Sequence, residues 1–336
     1  MKKVFVVILL LVLVGIAAFY LSPLKSILSR PLDKVSIRLN WVHNAQFAGL
    51  YVAKEKGFYK DEGLDVNVEE FKDNLDQGQE LANGEVNFSI FTPVELLSSV
   101  AKGNKIKAIA AVYQTSPLVF ISLKKTDILS PKDFKGKILG AKGGNYQAKL
   151  IYQTIASNYG IPMRSYTLKD LDFSVDEGDD LVKNRANIVD IYRTDQIYFF
   201  DQRGISYNLL YPENFGYQTY GDTIATSLNE IDKNPDQVRR FIRATQKGWD
   251  YALSNMPEAL MLTKKYENTL YTDAKHEEYI LRHSAPLITP RGGQPIGAMN
   301  VIVWNNAINS MKTEGIITSP IDSSDAYTAQ FLVDKQ

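Results

Sequence analysis

Short alternating stretches and longer helically spaced stretches take turns along the chain. Val35-Ser36-Ile37-Arg38-Leu39 has the period of two of a strand and runs into Asn40-Trp41. Gln46 to Lys56 then has helical spacing and stops at Gly57. Leu64 to Val68 and Val86 to Ile90 read as further strands with a short helix between them. Pro93 to Lys102 is helical up to Gly103, and Ile106 to Val112 is a buried strand. Strands alternating with helices predict a parallel sheet with crossovers.

A second unit repeats the theme with strands at Val119 to Leu123, Lys137 to Gly140, Ile188 to Ile191 and Tyr207 to Leu210. Its helices fall at Gln147 to Asn158, Gln196 to Gln202 and Asp176 to Lys183. From Asp222 the pattern turns mostly helical, at Pro235 to Ser254, Pro257 to Tyr266, Asp273 to His283 and Ala298 to Thr313. Such a tail is buried only by packing back on the first unit. The expectation is an α/β protein of two lobes, residues 34–118 with 220–336 and residues 119–219, joined by two crossing strands near 115–121 and 217–224. A cleft between lobes on such a hinge is a common place for a ligand.

Ahead of this body lies Lys2-Lys3 and an uninterrupted apolar run, Val4 to Leu21. As a helix of about 1.5 Å per residue it would span roughly 27 Å, near the thickness of bilayer hydrocarbon. The leading lysines favour export of the downstream chain. An uncleaved membrane anchor and a cleaved signal peptide are the two readings, the second weakened by a poor cleavage site at Ile16-Ala17-Ala18. Pro23 and Pro31 bracket a linker. Beyond residue 30 the chain holds 34 basic against 38 acidic residues, and no basic stripe accompanies the aromatics, so nucleic acid is not an expected partner. The chain has no cysteine, which removes disulfides, thiolate metal sites, a cysteine nucleophile and lipidation at cysteine.

The stretch Asn40-Trp41-Val42-His43-Asn44-Ala45-Gln46-Phe47-Ala48-Gly49-Leu50-Tyr51 through Gly57-Phe58-Tyr59 resembles the opening of the NMT1/THI5-like (SsuA/THI5-like) family. Collinear matches occur at Ala111 to Pro117, Ser130 to Lys137, Tyr192 to Gln196, Tyr220-Gly221-Asp222 and Lys247 to Ala252, so the resemblance covers about residues 34–332. It implies a type II periplasmic-binding-protein fold preceded by the apolar helix. It also implies capture of a small aromatic heterocycle, a thiamine-precursor pyrimidine first among them, for an ABC importer.

Candidate ligand residues come from both readings. Trp41 lies just past strand one, where open α/β sheets bind ligands, and offers a stacking face; a core role is the alternative. Asn44 is either a helix N-cap or a ligand donor, and Gln46 stands beside it. Gly143-Gly144-Asn145, between a strand and a helix, is expected to leave N–H groups pointing outward, which suits a carbonyl, carboxylate or phosphate; a plain turn is the alternative. The resemblance implies that Asp195 and Asp222 are polar anchors; the bland alternatives are an N-cap and a solvated turn. Phe91, Glu95, Gln114 and Tyr192 lie in or beside matched segments and complete the candidate set, with Tyr113 and Tyr220 more simply read as core.

Fungal members of the family make the thiamine pyrimidine with a Lys/His pair and a cysteine cluster. The matching positions here are Phe91 and Glu95, and cysteine is absent, so no enzyme and no cofactor are expected. His276 and His283 share one predicted helix with Glu277 and Glu278 nearby, which reads as a solvated surface rather than a metal site. His43 is a candidate cleft residue with no serine or acid placed to make it a base. The expected protein is an exported monomer, at the outer face of the membrane or in the periplasm, working with permease subunits. A sensing module acting through a partner is the second reading.

Overall fold

The computed structural model describes residues 31–172, 178–268, 270, 273–289 and 292–333. The apolar run Val4 to Leu21 lies outside the described residues. No helix among the described residues is long and apolar enough to cross a membrane.

Strand β1 (Asp33–Arg38) leads through a short helical turn into α1 (Ala48–Glu55). Then come β2 (Leu64–Glu69), α2 (Gln77–Asn83), β3 (Phe88–Phe91), α3 (Pro93–Ala101) and β4 (Ile106–Ala111). The second sheet takes β5 (Leu118–Leu123), β6 (Ile138–Lys142), α4 (Tyr146–Asn158), β7 (Thr167–Leu171), α5 (Gly178–Val182), β8 (Ile188–Tyr192), α6 (Ile197–Gln202) and β9 (Tyr207–Leu210). The chain then returns to the first sheet as β10 (Thr223–Ser227). It ends in a helical tail: α7 (Pro235–Ser254), α8 (Met256–Thr263), α9 (Ala274–Ile288) and α10 (Val301–Thr313).

The sheets have the orders β2-β1-β3-β10-β4 and β7-β6-β8-β5-β9. Both are mixed, which corrects the parallel sheet expected from sequence. β10 runs antiparallel to β3 and β4, and β5 antiparallel to β8 and β9. The reason is directional: a chain returning across a hinge enters the first sheet from the end at which β4 left it. By pattern alone the segment of β10 opens a helical tail. It is instead a short Thr/Ser-rich strand buried on both faces, so it carries no alternation. β7 is equally silent in the sequence; it is an edge strand whose polar residues Thr167, Lys169 and Asp170 are exposed.

Each sheet has its own apolar layers. Val35, Ile37, Phe88, Phe241 and Trp249 lie in the first lobe, and Phe120, Tyr152, Val189 and Phe200 in the second. α1 and α7 cross at Gly49 and Gly248. A Cβ on Gly248 would sit 2.2 Å from the Gly49 carbonyl oxygen, so the crossing tolerates no side chain.

Two segments join the lobes, and they bond to each other. The Ser116 N–H donates to Thr219 O at 2.9 Å, and the Gly221 N–H to Tyr113 O at 3.1 Å. A Cβ at Gly221 would come within 2.8 Å of both Pro117 and Tyr113, so the ribbon requires glycine there.

Candidate ligand-binding cleft

A cleft of about 340 Å³ opens between the two sheets. The first lobe lines it with Asn40, Trp41, Gln46, Phe71, Thr92 and Glu95. The second lobe contributes Lys142, Gly143, Asn145, Tyr146, Gln147, Asp190, Ile191, Tyr192, Asp195 and Gln196. Most of these sit at the carboxyl ends of β1, β3, β6 and β8 or on the turns just beyond them, the usual binding edge of an open α/β sheet.

Trp41 lies in this gap and is not sealed within a lobe. Its indole stacks on Phe71 with ring centroids 6.3 Å apart and planes inclined by 30°. The two loops that carry these rings are tied together, since the Phe71 N–H donates to Trp41 O at 3.2 Å. Beneath them Arg38, 2% exposed, donates from Nη1 to Glu70 O at 2.8 Å. It also grips Glu80 through Nε at 3.1 Å and Nη2 at 2.7 Å, and pairs with Glu69 at 2.6 Å. Burial opposes the Arg38 charge, but bonding to Glu80 and the charges of Glu80 and Glu69 outweigh it and raise the pKa.

Glu95 caps its own helix: Thr92 donates to Oε2 from both N–H and hydroxyl, each at 2.9 Å. Both bonds fall on Oε2, so Oε1 is the oxygen left to the cleft. The side chain is exposed where it lines the cleft, yet the protein packed around it desolvates the carboxyl and raises its pKa, against the lowering effect of the two bonds from Thr92. On the other wall Asp190 accepts from Lys142 N at 2.9 Å and Asn145 Nδ2 at 2.8 Å, and burial pushes it up to about 6. Lys142 is the cation among the described lining residues, and its ammonium is already paired with Asp180 at 2.7 Å. Among the described residues, two polar atoms of the lining are buried without a protein partner: the acceptor Oδ1 of Asn40 and the donor Nε2 of Gln147. Among the described residues the cleft therefore presents aromatic faces, several acceptors, one buried donor without a protein partner and no unpaired ammonium or guanidinium.

Of the residues singled out in the sequence, Trp41, Gln46, Glu95, Gly143, Asn145, Tyr192 and Asp195 line the cleft together. Asp222 does not; it stands behind the wall. Its Oδ1 accepts from Asn40 Nδ2 at 3.0 Å and its Oδ2 from Gln46 Nε2 at 2.7 Å, and burial pushes it up to about 6. It is 2% exposed, which corrects the solvated turn. Asn44 is buried and takes the capping role, accepting the Gln46 N–H at 2.8 Å. Phe91 is packed in the first lobe's core. Gln114 staples the carbonyls of Ala111 and Ala298 at 2.6 and 3.1 Å. Gly144 only completes the turn; Tyr113 and Tyr220 are core. His43 is off the lining and meets the Tyr51 hydroxyl at 2.8 Å.

The outward-pointing N–H groups expected at 143–145 are not there. Those of Gly143, Gly144 and Asn145 donate to Leu171, Ala141 and Lys142 carbonyls, and Asn145 caps α4 through Ala148 N. A second correction concerns His276. It is 2% exposed rather than solvated, because α9 is wedged between the lobes. Asn40, Phe71, Asp190 and Gln147 lie outside the set that sequence reasoning selects. An acid inside the apolar run Ile188-Val189-Asp190-Ile191 is the available signal for Asp190.

Glu277, next to His276, is also 2% exposed, and neither of its carboxyl oxygens makes a well-formed hydrogen bond among the described residues, the Ala45 N–H lying near enough only to lower its pKa somewhat. Burial, with the Glu267 charge adding to it, pushes its pKa up to about 8. Folded protein thus keeps a proton that unfolded chain releases near the ordinary glutamate value. Stability from this group is greatest below that value and falls as pH rises towards about 8. Glu277→Gln is expected to shrink the loss of thermal midpoint between pH 6 and pH 8. An undiminished loss in the variant would assign the pH response elsewhere.

The sequence profile of the NMT1/THI5 like family matches residues 44–259. The riboflavin-binding protein RibY of Chloroflexus aurantiacus is 24% identical over 312 residues, covering 90% of this chain and 86% of that protein. The formylaminopyrimidine-binding protein of Halalkalibacterium halodurans is 25% identical over 305 residues, covering 89% and 90%. Proteins named 4-amino-5-hydroxymethyl-2-methylpyrimidine phosphate synthase are also among the relatives. Among solved structures, the periplasmic aliphatic sulphonate binding protein SsuA of Escherichia coli superposes with a TM-score of 0.68 at 12% identity, covering 88% of this chain and 97% of that one. The fold is thus the two-lobed one of type II periplasmic binding proteins, and with the profile spanning well over half of its length the chain belongs to the NMT1/THI5 like family.

Proposed function

We propose that this chain is the substrate-binding component of an ABC-type importer. It captures a small aromatic heterocycle, a thiamine-precursor pyrimidine in the first instance, by closing two lobes on it outside the cytoplasm. The lobes are residues 34–118 with 220–336, and residues 119–219. The observation that carries this reading is the pairing of the Trp41–Phe71 stack with a wall of acceptors. An amino-substituted ring stacks on the indole, gives its N–H groups to Glu95 and Asn40, and takes one from Gln147 at a ring nitrogen. Charge-assisted bonds of this kind are the strong ones. Relatives named for binding riboflavin and a formylaminopyrimidine support a flat heterocycle.

The sulfonate-binding structures share the fold, but here the cleft's cation is spent on Asp180, which leaves nothing among the described lining residues to neutralise a sulfonate. Synthase relatives raise the enzyme reading. Phe91 is packed in the core and Glu95 is bound in a helix cap, and with no cysteine in the chain there is no amine or thiolate at those positions to react.

A thermal-shift panel tests the proposal with formylaminopyrimidine, 4-amino-5-hydroxymethyl-2-methylpyrimidine, riboflavin and an alkanesulfonate. A heterocycle at a hundred times its Kd should stabilise the protein by about 2.7 kcal/mol. Stabilisation by the sulfonate alone, or turnover of a pyrimidine, would overturn it. Trp41→Ala should weaken binding of the stabilising heterocycle by roughly 1–3 kcal/mol, the value of one large buried side chain. Unchanged affinity by calorimetry would remove the indole from the site.

A further inference from the structure

The lobes touch across the cleft at a polar point that is buried from both sides. His276 belongs to α9, which packs in the first lobe through Ile280, Leu281 and Ile288. Its Nε2 lies 2.6 Å from Oδ1 of Asp195, a cleft residue of the second lobe. The other carboxylate oxygen, Oδ2, accepts from Gln196 Nε2 at 3.0 Å. The imidazole is clamped by second-lobe rings: Tyr198 stacks at 4.8 Å and Phe199 meets it edge-on at 4.6 Å. One turn away, the Tyr198 hydroxyl donates to Asp273, the α9 N-cap, at 2.6 Å. Among the described residues, the charged and titratable groups around His276 include Asp195, Tyr198, Asp273 and Glu277, with Glu267 beyond Glu277.

We infer that His276 is a positioning residue that arms Asp195 for the ligand only when the lobes are shut. Resting on the reading of Asp195 as a ligand carboxylate, this adds that carboxylate placement and closure are one event. When open, the cleft separates imidazole from carboxylate; when closed, it fixes the oxygens of Asp195 between His276 and Gln196. An imidazolium binds a carboxylate more strongly than a neutral imidazole does, and histidine is the side chain that changes charge in the physiological range. Closure is accordingly favoured by acid.

The test uses the full chain with Asp73→Cys and Arg164→Cys, one exposed position in each lobe, spin-labelled in a protein that has no other cysteine. Pulsed dipolar spectroscopy reads the closed fraction without ligand at pH 5.5 and pH 8, and stopped-flow fluorescence reads riboflavin release. The original residue at 276 should give more closed protein at pH 5.5. His276→Gln, which keeps a neutral N–H donor, should close to the same extent at both pH values. His276→Phe should be open at both and release riboflavin at least about tenfold faster, the scale of one charge-assisted hydrogen bond. Titration of Asp190, Asp222 and Glu95 is common to all three proteins and cancels in the comparison, and Glu277, which neighbours residue 276, is held constant by carrying Glu277→Gln in all three. The same pH response in His276→Gln as in the original, or closure unaffected in His276→Phe, overturns the inference. If the distances behave as expected and no heterocycle binds, the ligand proposal fails and the latch stands.

Discussion

Replacing Arg38 with methionine is expected to destabilise the protein by about 3–5 kcal/mol, because it strands Glu80 as an uncompensated buried charge. Arg38 is 2% exposed and Glu80 7%, and the pair is bidentate. Glu69, the other carboxylate on the guanidinium, is partly exposed and can turn to water. The double variant Arg38→Met with Glu80→Leu removes both charges and should recover most of the loss, since a buried ion pair is often replaceable by packed apolar side chains. Denaturant unfolding of the two variants decides the matter. If the double variant is as unstable as the single one, the loss lies in packing rather than in the stranded charge. A binding defect should accompany the single change, because Arg38 also holds the Glu70 carbonyl just before Phe71.

Asp222→Ala is the second large effect. The carboxylate anchors the side-chain amides of Asn40 and Gln46, both of which face the cleft. Its removal leaves two poorly hydrated amides without their acceptor, at about 1–3 kcal/mol each. The loss should register twice, in thermal unfolding and in calorimetric affinity for formylaminopyrimidine, because freed amides rotate and spoil the wall. Lower stability with unchanged affinity would show that the amides hold their places without the carboxylate.

Most of the fold is readable from residue patterns, because each lobe buries its strands and helices in the ordinary periodic way. Val35 to Leu39 and Pro235 to Ser254 are clear cases. β10 escapes because a strand buried on both faces has no alternation, and β7 because an exposed edge needs no apolar run. The cleft divides along similar lines. Trp41 is legible from its place at a strand end. Asp195 and Glu95 come through family resemblance. Asp222 carries the right chemistry but in a supporting place, since sequence spacing does not say which of two stacked polar layers faces the gap. His276 misleads for a related reason: Glu277 and Glu278 make its surroundings look wet, and only contact with the other lobe dries them.

The insertion of β10 between β3 and β4 also bears on how the chain matures. Until residues 223–227 have emerged, the first sheet is split, with two inner strand edges bare and a whole second lobe still to be made between them. The interposed lobe draws its sheet from one continuous stretch and can collapse early, whereas its partner waits for contacts distant in sequence, which are slow to form. Bare edges of this sort invite intermolecular pairing. During synthesis this half-built sheet is the species that most needs shielding, and the arriving strand closes the vulnerable interval.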